Sequence, residues 1–218
     1  MNSNVNGLRL LLALAFVVTA TSASAQNLLA NPSFEDPSTD PGVEYFGAGS
    51  GWTSFGGNIF TVNSTVVAPN TGNQSLKMFG ACCSGAFQQF PAAPGETWNG
   101  GVFMLNSSAD PMSGGQVAAV NIEWIQADGT TQSAITPFIS NGTFTAVDAP
   151  VDEWMMQTIT GVAPADAAFA RLTVITGDFL PGGPGGAPFF DDAFFEKTDD
   201  PISNEDSSFG RVKALFEN

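Results

Sequence analysis

Along residues 27–197 apolar side chains recur in short runs, often at every second position, and each run is closed by Gly, Pro, Asn or Asp. Val120-Asn121-Ile122-Glu123-Trp124 shows the alternation most clearly. A period of two places one set of side chains on a buried face and the other on a polar face, as in a strand. The pattern predicts strands over Asn58–Val66, Gln74–Met78, Gly85–Phe90, Thr97–Asn106, Ala118–Gln126, Gln132–Phe138, Trp154–Thr160, Ala168–Thr176 and Pro188–Lys197. Turn chemistry lies between them. Ala93-Pro94-Gly95-Glu96 precedes a strand, Ala127-Asp128-Gly129-Thr130 reads as a hairpin, and the Pro/Gly-rich residues 179–187 form a surface loop. Trp124 and Trp154, inside predicted strands, are expected in the core. The expected architecture is an all-β, two-sheet antiparallel sandwich occupying residues 26–198.

The two ends differ from that domain. Arg9, an apolar run from Leu10 to Val18 and the small residues Ala23 and Ala25 read as a secretory signal cleaved after Ala25. About 9 strongly apolar residues are too few to span a bilayer, which takes about 20. Residues 199–206 form an acidic linker. Phe209, Val212 and Phe216 then fall on one side of a short amphipathic helix that Ser207 or Ser208 would cap.

Charge narrows the function. Six Lys and Arg stand against 21 Asp and Glu, a net charge of −15, which becomes −16 once Arg9 is removed. Such a field repels nucleic acid and anionic lipid, and leaves neutral ligands and hard cations. The chain contains no His, which excludes a Ser-His-Asp triad and His-ligated zinc or haem. Its two cysteines, Cys82 and Cys83, are adjacent. A bridge between neighbours, two free thiols and pairing with another chain all remain open. Four Asn-x-Ser/Thr sequons, at Asn63, Asn73, Asn106 and Asn141, are read as chance in a chain whose signal is of bacterial style.

An ordered set of phrases resembles the jelly-roll carbohydrate-binding modules of families 4, 9, 16 and 22. Asn27-Leu-Leu-Ala-Asn-Pro-Ser-Phe-Glu35 resembles their opening phrase, Gly51-Trp52 their early Trp, and Thr71-Gly-Asn-Gln-Ser-Leu-Lys77 their Gly-x-x-Ser-Leu strand. Phe87-Gln-Gln-Phe90 with Pro94-Gly-Glu-Thr-Trp98 follows, with Trp98 where Tyr is usual. Asp152-Glu-Trp154, Val162-Ala-Pro-Ala165 and Phe189-Phe-Asp-Asp-Ala-Phe-Phe195 complete the series. The resemblance spans about Asn27 to Lys197 and implies a galactose-binding-like β-sandwich.

Two kinds of site follow. Glu35 and Asp36 near the start and Asp191 and Asp192 near the finish would meet and repel if the first and last strands pair, unless a cation lies between them. Ca2+ takes 6–8 oxygens and needs no His. The resemblance implies a structural calcium held by Glu35, the backbone about Gly72 and Gln74, and Asp191 or Asp192. Because side chains alternate along a strand, only one of the two aspartates is expected to face it. For sugar binding, flat rings and amides are the candidates: Tyr45, Phe46, Trp52, Phe55 and Phe79, with Gln88 or Gln89.

Catalysis fits poorly. Adjacent carboxylates such as Asp152 and Glu153 point to opposite faces of a strand, whereas glycosidases need two that face each other. The expected function is a secreted, non-catalytic protein binding a neutral polysaccharide or cell-surface glycan weakly, with a structural calcium. The rival is an extracellular adhesive or matrix protein, self-assembling, that keeps the fold without sugar binding.

Overall fold

The computed structural model describes residues 26–63, 66–135 and 144–198. The expected signal, the acidic linker and the C-terminal helix lie outside them. Twelve strands follow in order: β1 (Glu44–Phe46), β2 (Thr53–Phe55), β3 (Ile59–Asn63), β4 (Gln74–Met78), β5 (Ser84–Pro91), β6 (Thr97–Asn106), β7 (Gln116–Ile125), β8 (Gln132–Ile135), β9 (Phe144–Thr145), β10 (Met155–Val162), β11 (Phe169–Asp178) and β12 (Pro188–Thr198). One sheet has the order β1-β3-β4-β12-β6-β10, the other β2-β5-β11-β7-β8, with β9 also on β7. Every named strand pair is antiparallel. This is the expected two-sheet sandwich.

Alternation decides what lies between the sheets. β6 sends Trp98, Val102 and Met104 inward, β12 sends Phe190 and Phe195, and β11 answers with Ala170, Leu172 and Val174. Trp98 packs on Phe195 with ring centres 4.8 Å apart, so the indole standing where Tyr is usual serves the core. Trp124 is buried as expected. Trp154, placed just before β10, is only half-buried and belongs to a small separate cluster with Val67, Leu105 and Phe189 on the outer face of the first sheet.

The opening phrase is not a strand. Asn31 closes it into a turn: its side chain accepts from Asp36 N at 3.0 Å and donates to Asp36 O at 2.7 Å. Phe34, which has a positive φ of 56°, drops its ring fully into the core against Trp52. The segment nevertheless runs beside β12, as expected for the two ends of the domain. Leu28 N donates to Phe195 O, Ala193 N to Pro32 O, and the Asn27 amide bonds Ala193 O and Phe195 N. β1, β2 and β9 were not legible in the pattern, because two or three residues are too few to show a period.

Candidate functional site

The carboxylates at the two ends of the domain meet at the loop leading into β4. Glu35 Oε1 accepts from the backbone N–H groups of Asn73 and Gln74 at 2.7 and 2.9 Å. Gly72 has a φ of +65°, and a Cβ there would collide with the Glu35 carboxylate, so only glycine permits this approach. The Gln74 side chain donates to Phe34 O and Pro37 O and accepts from Thr39, tying the opening turn to the same loop.

On the other side of the loop, Asp191 Oδ2 accepts from Asn70 N at 2.8 Å and Thr71 N at 3.1 Å. Asp192 takes Asn70 Nδ2, Thr71 Oγ1 and Ser33 Oγ. Both aspartates therefore reach the same loop, against the strict alternation of a strand. The pairing of β12 with β6 shifts register between Asp191 and Phe194, and Asp192 has a φ of +45°. A bulge of this kind breaks the alternation of faces and lets both carboxylates reach one loop.

Asp191 is fully buried, and desolvation, helped by the neighbouring Asp192 charge, pushes its pKa up to about 7. Its hydrogen-bond partners are backbone N–H groups, with no cationic side chain among them. Among the described residues no three His, Cys, Asp or Glu side chains are close enough to hold a metal ion by themselves. Glu35 Oε1 and Asp191 Oδ2 are each held by backbone N–H donors of this loop.

The expected sugar-binding residues separate into three groups. Trp52 and Gln88 are structural. Trp52 is 8% exposed, packs on Phe34 at 5.1 Å and donates from Nε1 to Asn31 O, so its face is not open to a sugar. Gln88 turns inward and holds both backbone groups of Ala30, at 3.0 and 2.7 Å. Tyr45 and Phe46 are exposed on the short edge strand β1. Phe79 is half-buried beneath Lys77 Nζ, 5.5 Å from its ring centre. Cys82 and Cys83 are bonded to each other, and Cys82 N donates to Asp178.

Phe55 and Gln89 form the third group, on the outer face of the second sheet. Register places Thr53, Phe87, Thr173 and Asn121 in one row across β2, β5, β11 and β7, with Gln89, Arg171 and Glu123 in the next. The intervening residues Gln88, Leu172 and Ile122 point to the core. The Phe55 ring lies over Gly85, where any Cβ would strike it.

Arg171 organises this face. Its guanidinium carbon sits 4.1 Å from the centre of the Phe87 ring. Nη1 reaches Glu123 Oε2 at 3.1 Å, while Nε and Nη2 reach Gln89 Oε1 at 3.1 and 2.8 Å. Glu123 Oε1 accepts from Thr173 Oγ1 at 2.9 Å. Asn121 is 2% exposed, and its Oδ1 has no hydrogen-bond donor among the described residues. Phe87, Glu123, Arg171 and Asn121 were missed in the sequence. Each alternates with a core residue, which marks an outward face, but only the pairing of β5, β11 and β7 brings them side by side.

No protein-family model matches the sequence, and no curated protein matches it. Solved structures do match the fold. The CBM22-1 xylan-binding domain from Paenibacillus barcinonensis Xyn10C aligns at 14% identity and a TM-score of 0.55, over 83% of this chain and 99% of that one. The chain has the fold of the jelly-roll carbohydrate-binding modules. The tandem CBM22-1–CBM22-2 domain of the same protein gives 16% identity and a TM-score of 0.55, over 88% of this chain and 50% of that one. An arabinose-bound α-L-arabinofuranosidase, MgGH51, gives 14% and 0.51, over 78% of this chain and 26% of the enzyme chain. The fold is thus shared with the binding domains of Xyn10C and with part of a larger enzyme chain.

Proposed function

We propose that this chain is a secreted, non-catalytic carbohydrate-binding protein that holds a neutral polysaccharide weakly on the outer face of its second sheet. The observation that carries the reading is the Gln89–Arg171–Glu123 row beside Phe87. The Arg171 and Glu123 side chains are each 16% exposed and paired, so the row carries no net charge yet presents donors and acceptors at fixed positions. Sugar hydroxyls need that mixture, and apolar rings beside it match the C–H faces of a pyranose. Individual hydrogen bonds contribute about 0.5–1.5 kcal/mol net, so a few of them support affinities nearer micromolar to millimolar than nanomolar.

A calcium ion is proposed at the carboxylate loop, with Glu35 and Asp191 as carboxylate ligands and backbone carbonyls about Gly72 and Gln74 beside them. It would offset the buried charge of Asp191 and hold the opening turn to β12. Affinity electrophoresis in gels containing xylan, galactan or arabinan tests the binding. Retardation by one of them is expected, and Phe87→Ala and Gln89→Ala should each abolish it while folding normally. No retardation by any neutral glycan would reject the reading.

The rival reading, an adhesive or matrix protein, is favoured by β1. Val43, Tyr45 and Phe46 are 52%, 42% and 64% exposed at the edge of the first sheet, and an apolar edge of this kind suits self-association. A concentration-dependent oligomer that Tyr45→Ser with Phe46→Ser disperses would favour it.

A further inference from the structure

We propose that a cavity on the outer face of the first sheet is a second binding site, taking one sugar ring that carries a protonated amine. The cavity has a volume of about 190 Å³ and is lined by Val67, Ala68, Pro69, Leu105, Ser107, Asp152 and Trp154. Drug-sized ligand pockets begin at roughly 300 Å³, so this space suits a single ring. It lies on the opposite sheet from the Arg171 face, and its case does not depend on that reading.

The walls are fixed in place. Trp154 Nε1 donates to Ala68 O at 3.0 Å, which sets the indole against the loop before β4. Asp152 N donates to Asn106 O at 2.8 Å, while Asp152 Oδ1 accepts from Ser108 N at 2.8 Å and Ser107 Oγ at 3.3 Å. Ser107 Oγ in turn accepts from Ala109 N at 3.2 Å, so its proton is already given to Asp152. The Ser108 side chain adds a further hydrogen bond to this carboxylate, and Asp152 forms no ion pair among the described residues.

The chemistry of the ligand follows from what is left over. The capacity that remains on the polar side chains of the wall is for accepting hydrogen bonds, so the ligand must bring donors. Beside the acceptor stands an indole, a surface that attracts both sugar C–H faces and cations. Hydrogen bonds from Ser108 hold Asp152 below the usual carboxylate range, so it is charged at neutral pH. A neutral hexose meets the donor requirement alone, whereas an amino sugar also supplies the opposite charge, in a protein whose overall field already draws cations.

NMR titration of the full chain with glucosamine, glucose and N-acetylglucosamine tests this, following the indole N–H signals of the 4 Trp residues. Glucosamine is expected to move the Trp154 signal with about tenfold higher affinity than the two neutral sugars, a gap of about 1.4 kcal/mol. Added NaCl should weaken that binding. Asp152→Asn keeps the shape, and Asn tolerates the φ of 61° at this position. It should bring glucosamine down to the affinity of glucose while the protein stays folded. Equal binding of glucose and glucosamine, or an undiminished glucosamine response in Asp152→Asn, overturns the proposal. Lysine amide binding as tightly as glucosamine overturns the sugar-ring part. Phe87→Ala should leave this titration unchanged while removing polysaccharide retardation, so either site can fail alone.

Discussion

Asp191 and Asp192 are neighbours in β12, yet both carboxylates accept hydrogen bonds from the Asn70–Thr71 loop. The bulge between Asp191 and Phe194 makes this possible and leaves Asp191 without solvent contact. A folded-state pKa raised from 3.8 to about 7 means that the native protein binds a proton that the unfolded chain has released between those values. The stabilising contribution is complete below pH 3.8 and is lost as pH rises through about 7. Urea unfolding of metal-free protein should show this decline between pH 5 and 7.5, and Asp191→Asn should flatten it.

Calcium should raise the melting temperature, since a ligand bound only by the folded state stabilises it by mass action. Melting curves in excess Ca2+ and in EDTA should separate, and the gap should close in Glu35→Ala. Coincident curves for the parent protein would reject the calcium site.

Trp52 and Gln88 should act on stability and not on glycan binding. Trp52→Ala removes a buried ring packed on Phe34, a change that costs about 3–5 kcal/mol. Gln88→Ala strips the partners from Ala30 N and O, at about 1–3 kcal/mol for each group left unsatisfied. Chemical denaturation measures both, and at temperatures where the variants stay folded, gel retardation should match the parent.

The β7–β8 hairpin should weaken in acid. Hydrogen bonds from the Thr131 side chain, and from the Thr131 and Thr130 backbone, lower the pKa of Asp128 from 3.8 to about 2. Its contribution is present above pH 3.8 and is lost as pH falls through about 2. Hydrogen exchange at Thr130 and Thr131 should speed up across that window, and Asp128→Ala should show the faster exchange already at pH 7.

The sheets themselves were legible in the chain. β4 and β6 have the bounds that alternation predicts, and β5, β7, β10, β11 and β12 differ by one or two residues at their ends. The core face was legible for the same reason, because burial follows a period of two that any local window displays. Opposite roles for Gln88 and Gln89 follow from that period as well, although which of them faced the core did not.

Other features depended on specific side-chain and backbone contacts, most of them between residues far apart in sequence. Asn31, not a strand, shapes the opening phrase, because its amide closes a turn that lets Phe34 and Trp52 stack. The bulge that turns both Asp191 and Asp192 to one loop arises from pairing with β6. Trp154 sits at an outer cavity and not in the core because the loop of Val67 to Pro69 lies across its edge. In the Arg171–Glu123–Gln89 row, Arg171 meets Glu123 48 positions and Gln89 82 positions away in the sequence. Composition and periodicity determined that this chain forms an acidic β-sandwich. Which outward side chains become neighbours was decided only by strand order and register, because those are set by the packing of the whole sandwich and leave no local period in the sequence.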